Sequence, residues 1–193
     1  YNINLNTKDK RKATDIALDI REKGRAKRDS NGKILRDKSG AMLKVPGKLK
    51  YVKAVGWYID EYEQVQVSIN LTNYKKTSIC KVFEEVRREA NKRGLRVTGS
   101  EIVGLIPKDA LLEAGRFYLK KQKSFSGIPE DDVINIAIKS LGLNDISAFN
   151  SNKSIIENAL SDDSFLINKN LKYFTDELSR NTAVPGGGSV SAL

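Results

Sequence analysis

The sequence predicts an α+β fold, a ferredoxin-like βαββαβ sandwich with additional C-terminal helices, on three observations. Apolar residues alternate with polar ones at Asn2–Asn6 and again at Gln64–Thr72, the period of a strand with one buried face. Apolar stripes with helical spacing follow: Ala13, Ile16, Ala17 and Ile20, then Ile79, Val82, Phe83, Val86 and Ala90. The resulting order is strand, helix, strand, strand, helix, strand. That order closes an antiparallel sheet with both helices on one face and leaves the other face bare.

Taken in turn, Asn2–Asn6 is a short strand, and Thr7 is the expected N-cap of the first helix. Gly24 is placed to terminate that helix. Arg25 to Lys48 is basic and irregular. Its turn dipeptides Asn31-Gly32 and Ser39-Gly40 flank Ile34-Leu35 and predict a flexible, hairpin-like excursion that Pro46-Gly47 closes. Tyr51–Ile59 is a second strand, with Trp57 expected in the core, and Asp60–Glu63 turns it into Gln64–Thr72. Thr77 or Ser78 caps the second helix, Cys80 lies half-buried on it, and Gly94 stops it. Arg96 to Ile106 reads as extended up to Pro107.

Beyond the sandwich, Lys108–Lys123 reads as a helix with Leu111, Leu112, Gly115 and Tyr118 inward. Pro129 starts another, whose first turn holds Glu130, Asp131 and Asp132 and which Gly142 ends. Asn144 to Asn152 is expected as loop, Lys153–Leu160 as a short helix and Ser164–Arg180 as a longer one. Pro185-Gly186-Gly187-Gly188-Ser189-Val190 follows.

The 193 residues suffice for one good core with a small extra piece. No apolar run approaches a membrane span and no secretory leader opens the chain. A single cysteine, Cys80, makes a reducing, cytoplasmic setting the default. The chain opens on Tyr1 without an initiator methionine and stops as an apolar pattern begins, so it reads as a piece of a longer protein. Histidine is absent, which removes Ser–His and Cys–His nucleophile pairs; no metal site is expected. The net charge of +10 arises wholly within residues 8–53, which hold 16 lysines and arginines against 6 acids. Such a block attracts polyanions.

Gln66, Ser68, Asn70 and Thr72, together with Asn2 and Asn4, give the bare face an unusual character. All are amides or hydroxyls, able to donate and accept without charge, where solvent faces usually collect Lys and Glu. A face of that kind suits a second domain or a polar ligand.

Five segments carry a family resemblance: Asn2-Ile3-Asn4-Leu5; Arg21-Glu22-Lys23-Gly24-Arg25; Gly56-Trp57-Tyr58; Gln66-Val67-Ser68-Ile69-Asn70-Leu71; and Arg96 to Pro107. In this order and spacing they resemble glutamate formiminotransferase, over residues 1–160 of its C-terminal subdomain. Residues 185–190 resemble the opening of the cyclodeaminase domain of formiminotransferase–cyclodeaminase, making 161–193 a linker and its first residues. The resemblance implies transfer of a formimino group from N-formimino-L-glutamate to tetrahydrofolate in histidine breakdown. It further implies folate held between two ferredoxin-like subdomains and a catalytic histidine on the N-terminal one, so that this piece alone is inactive.

It also implies the expected binding residues. Asn4, Gln66, Ser68 and Asn70 would line the inter-subdomain face, with Ser100 and Glu101 along the same channel and Arg25 meeting an anionic substrate group. Relatives often carry histidine where Cys80 stands. The expected partners are the N-terminal subdomain, a folate polyglutamate whose anionic tail the basic 8–53 segment attracts, and a second copy; neither membrane nor nucleic acid is expected. Two further readings stand beside this one. One is an RNA-binding module on the same sandwich, though its strands lack the usual stacking aromatics. The other is a dimerisation domain.

Overall fold

In the computed structural model, which describes residues 1–125 and 127–160, four antiparallel strands form one sheet backed by helices. The strands are β1 (Asn2–Leu5), β4 (Val52–Ile59), β5 (Gln64–Leu71) and β6 (Val97–Glu101), in the spatial order β4-β5-β1-β6. Helix α1 (Lys10–Ile20) follows β1, and α2 (Ile79–Lys92) follows β5. The short pair β2 (Arg25–Ala26) and β3 (Lys44–Val45) forms the base of the basic excursion.

Period-two alternation decides which side of the sheet is covered. Ile3, Leu5, Val65 and Val67 point into the core with Ile16 and Ile20 of α1 and Val82 and Val86 of α2. Gly56 of β4 pairs with Val67 on that same side, and a Cβ there would lie 2.2 Å from the Thr14 amide nitrogen of α1. Only glycine lets the helix backbone lie so close to the strand. Both helices therefore share one face.

The N-cap of α1 is Asp9, whose carboxylate accepts from the Arg11 amide, rather than the expected Thr7. Thr7 instead accepts from the Asp9 amide through its hydroxyl, one step upstream. At α2, Ser78 takes the cap position without a side-chain bond, while the Thr77 hydroxyl donates to the Lys50 carbonyl. Cys80 is fully buried rather than half-buried. Only Val97–Glu101 of the expected extended stretch pairs as strand.

Helices α3 (Lys108–Lys121) and α4 (Glu130–Leu141) pack on each other and continue the helix layer. The end of α4 covers the free edge of β6, where the Ser100 amide donates to the Gly142 carbonyl at 3.0 Å. The expected single helix at 153–160 is two turns, α5 (Ser151–Ser154) and α6 (Ile156–Ala159), broken at Ile155, which bridges to Ile106. The expected helix at 164–180 and the segment 185–190 lie outside the described residues.

The excursion is ordered where flexibility was expected. Lys27, Leu35 and Leu43 close a ring of backbone bonds: Leu35 N to Lys27 O (2.9 Å), Leu43 N to Leu35 O (3.0 Å) and Lys27 N to Leu43 O (2.8 Å). An ion network fastens it to the helices. Lys48 at its end reaches Glu85 and Glu89 of α2, and Arg25 at its start reaches Asp19 of α1. Burial alone would raise the Glu89 carboxyl, but bonds from Lys48, Lys92 and Arg93 outweigh it and hold it down at about 2. No helix among the described residues is long and apolar enough to cross a membrane.

Candidate functional site

The side of the sheet away from the helices is the site. The strand register fixes its composition: Asn4 lies between Gln66 and Gly99, and Asn2 between Ser68 and Glu101. On β4 the register adds Lys53, Val55 and Trp57, opposite Asn70, Ser68 and Gln66. Asn2, Asn4 and Gln66 are buried among their neighbours on this face, Ser68 is half-buried and Asn70 is exposed. Val55 is 56% exposed and Trp57 41%. Trp57 thus stands on the open face and not in the core, because pairing with Gln66 puts it on that side.

A chain of hydrogen bonds links all four strands. The Trp57 indole Nε1 donates to Gln66 Oε1 at 3.0 Å, and Gln66 Nε2 donates to Glu101 Oε1 at 2.9 Å. Asn2 Nδ2 donates to the same Glu101 oxygen at 3.0 Å. Glu101 is thereby oriented by two neutral amides, with no lysine or arginine at ion-pair distance among the described residues. Beside this chain, Asn4 is 1% exposed and its Oδ1 has no hydrogen-bond partner among the described residues. A buried amide oxygen left unpaired costs about 1–3 kcal/mol and is a ready acceptor for an incoming donor.

Five of the seven expected binding residues, Asn4, Gln66, Ser68, Asn70 and Glu101, come together on this face. Ser100 does not. It pairs with Ile3 on the helix side, donates to the Leu141 carbonyl at 2.6 Å and accepts from the Tyr1 hydroxyl at 3.0 Å. Arg25 also lies apart, at the base of the excursion, paired with Asp15 (3.4 Å) and Asp19 (2.7 Å) of α1. Sequence reasoning placed Asn2 on this face but missed Trp57 as a member of the network. Counting back from the Asp60–Glu63 turn sets Trp57 opposite Gln66, so the signal for Trp57 was present. No group of three or more His, Cys, Asp or Glu side chains among the described residues is placed to hold a metal.

The donors and acceptors of this face, one carboxylate among amides, suit a flat ligand with many N–H and C=O groups. They offer no nucleophile–base pair of their own.

Comparison with known proteins agrees in kind. Residues 1–161 match the formiminotransferase domain family. The chain is 39% identical over 198 residues to the formimidoyltransferase-cyclodeaminase of Dictyostelium discoideum, covering all of this chain and 33% of that protein. It is 40% identical over 195 residues to that of Gallus gallus, with the same coverage. The glutamate formimidoyltransferase of Thermoplasma acidophilum is 34% identical over 134 residues, 69% of this chain and 36% of the relative. The chain thus spans about a third of the length of the curated relatives it matches.

Proposed function

This chain belongs to the formiminotransferase domain family, and from that premise we propose that it is the C-terminal, folate-binding half of a glutamate formimidoyltransferase. The whole enzyme moves the formimino group of N-formimino-L-glutamate onto tetrahydrofolate, in cytoplasmic histidine degradation. The observation that carries the reading is the amide-lined side of the sheet away from the helices, where the buried Asn4 Oδ1 has no hydrogen-bond partner among the described residues.

On this reading the fold is the ferredoxin-like sandwich, which the strand order β4-β5-β1-β6 supports. An N-terminal subdomain of the same kind closes over the open face and supplies the catalytic histidine. The pterin of tetrahydrofolate lies between the two. Its ring N–H groups meet Asn4 Oδ1 and the Glu101 carboxylate, and its acceptors meet Asn and Gln amides. Gly99, with φ +143°, lies beside Asn4 on the edge strand, where a Cβ would meet Asp145 and Ile146 of the chain after α4. Ser100 supports the site from beneath by fixing β6 to α4, and Arg25 stays outside it. Residues 161–193 lead into a cyclodeaminase domain, and the assembled protein is a homo-oligomer.

For a folate polyglutamate, the tail leaves the face over β4. Lys53, on the open face, and Lys23, beside it in a groove of about 570 Å³ along that edge, are its nearest cations.

The test compares this chain with one extended by its N-terminal half. Tetrahydrofolate mono- and pentaglutamate and a short RNA are titrated against each, and formimino transfer is followed. The extended protein is expected to bind folate and turn over, and this chain alone is expected to be inactive. Binding of RNA with no binding of folate would reject the reading. Affinity independent of tail length and of salt would reject the roles of Lys53 and Lys23.

A further inference from the structure

The excursion contains a repeat whose product is a second cleft, between the excursion and α1. Arg28-Asp29-Ser30-Asn31-Gly32-Lys33-Ile34 and Arg36-Asp37-Lys38-Ser39-Gly40-Ala41-Met42 are built alike, eight residues apart. In each, the Asp Oδ1 accepts backbone N–H bonds from the residues two and four ahead, at 2.8–3.0 Å. Each Arg donates to the glycine carbonyl of its own loop, Arg28 to Gly32 at 2.5 Å and Arg36 to Gly40 at 2.8 Å. Gly32 and Gly40 take φ of +80° and +84°, closing the two turns.

This construction consumes the excursion's only two acids in holding backbone. Asp15 and Asp19 of α1 are held by Arg25. Lys23, Lys27 and Lys44 have no acidic partner among the described residues. Between α1 and the excursion they line a cleft of about 920 Å³, with Arg21, Arg25 and Arg28. Asp15 is the single acid on its wall, and Leu18, Ala26, Met42 and Val45 give it an apolar part. Met42 and Val45 are each 47% exposed.

Two features separate this cleft from an ordinary solvated basic loop. The ring of bonds through Lys27, Leu35 and Leu43 fixes the backbone that carries the cations, so little ordering entropy is lost on binding. The cleft is also compact, within the volume range of small-ligand sites, and pairs an apolar floor with a cationic rim. A compact polyanion joined to a flat apolar group matches both parts. We propose that this cleft binds a nucleoside triphosphate, its phosphates on Lys27, Arg28 and Lys44 and its base against Met42, Val45 and Leu18. The proposal does not depend on the formimino-transfer reading, since Lys27 and Lys44 lie away from the amide face.

The test is calorimetric titration of the purified protein with ATP, with inorganic tripolyphosphate and with adenosine, at about 50 and about 200 mM salt. ATP is expected to bind at one site, more tightly than tripolyphosphate, and more weakly at the higher salt. The double variant K27E/K44E is expected to lose about tenfold or more in ATP affinity at unchanged melting temperature. The variant K120E/K139E changes the charge equally on α3 and α4 and is expected to bind ATP as before. Absence of saturable ATP binding, equal binding of tripolyphosphate, or equal weakening in K120E/K139E would each overturn the proposal. In the protein extended by its N-terminal half, formimino transfer by K27E/K44E is expected to stay at its original rate whichever way the titration falls.

Discussion

Replacing Gln66 by leucine separates a binding face from a merely structural one. Gln66 is fully buried, and its amide gives one bond to Glu101 and takes one from Trp57. Each is worth about 1 kcal/mol net, so a purely structural account predicts a loss of about 2 kcal/mol. The surroundings argue for less. The Trp57 ring is 41% exposed and Glu101 is half-buried with a second bond from Asn2, so both can turn to water. The substitution also removes the desolvation cost of a buried amide, about 1–3 kcal/mol, and fills the same space with apolar atoms. The balance is a stability change within about 1 kcal/mol. Glu101, in contrast, loses one of the two donors that aim it. Q66L should therefore unfold in urea close to the parent while the extended enzyme loses transfer activity, mainly through a higher KM for tetrahydrofolate. A loss of stability above about 2 kcal/mol with folate binding intact would refute the reasoning.

Three other outcomes follow from the same geometry. Because the folded-state value of Glu89 lies at about 2, below its ordinary value of 4.5, its contribution is fully present above the ordinary value. It is lost as pH falls through the folded value, and E89Q should lower stability at neutral pH by up to about 3 kcal/mol while flattening the acid limb of the urea-midpoint profile. G56A places a methyl 2.2 Å from the α1 backbone and should cost about 3 kcal/mol or more, read as a fall in melting temperature; G94A, whose Cβ would meet nothing, should cost only the roughly 1–2 kcal/mol of its left-handed φ of +68°. The pair D29A/D37A should speed tryptic cleavage within residues 25–48 while the melting temperature stays within about 1 °C, since the bonds it removes lie wholly within that segment.

How much of this was legible depended on whether a residue's position followed from local periodicity. The face of Asn4, Gln66, Ser68 and Asn70 followed from alternation alone, as did the stripes of α1 and α2. Ser100 and Glu101 did not. Leu5 pairs with Val97 and Asn4 with Gly99, so Thr98 is an extra residue in β6, and the bulge reverses which side every later residue faces. Counting from Val97 by twos puts Ser100 on the open side and Glu101 inside; the bulge exchanges them. Its mark in the sequence was Gly99, inside the stretch expected to be extended. Arg25 was misplaced for a different reason. Its acidic partners are on α1, ten and six residues earlier, and only the return of the chain after Gly24 brings them together. The excursion's order was hidden because its bonds run among three short segments, with no apolar period to announce them.

The division of charge between the two sides has a physical reason. Closing a partner over a face of lysines and glutamates would strip water from ions, at a cost of several kcal/mol for each one left without a counterion. Amides and hydroxyls require only that their hydrogen bonds be replaced, which a ligand rich in N–H and C=O groups, or a second amide-lined sheet, can do. A neutral open face is thus the composition expected of a surface that is wet at one stage and dry at another. Glu101 is the exception that such a surface admits at its centre of function: one carboxylate, held by two amides, available to a donor that arrives with the ligand. Lys27 and Lys44 line the cleft between α1 and the excursion, apart from this face, and do not oppose closure.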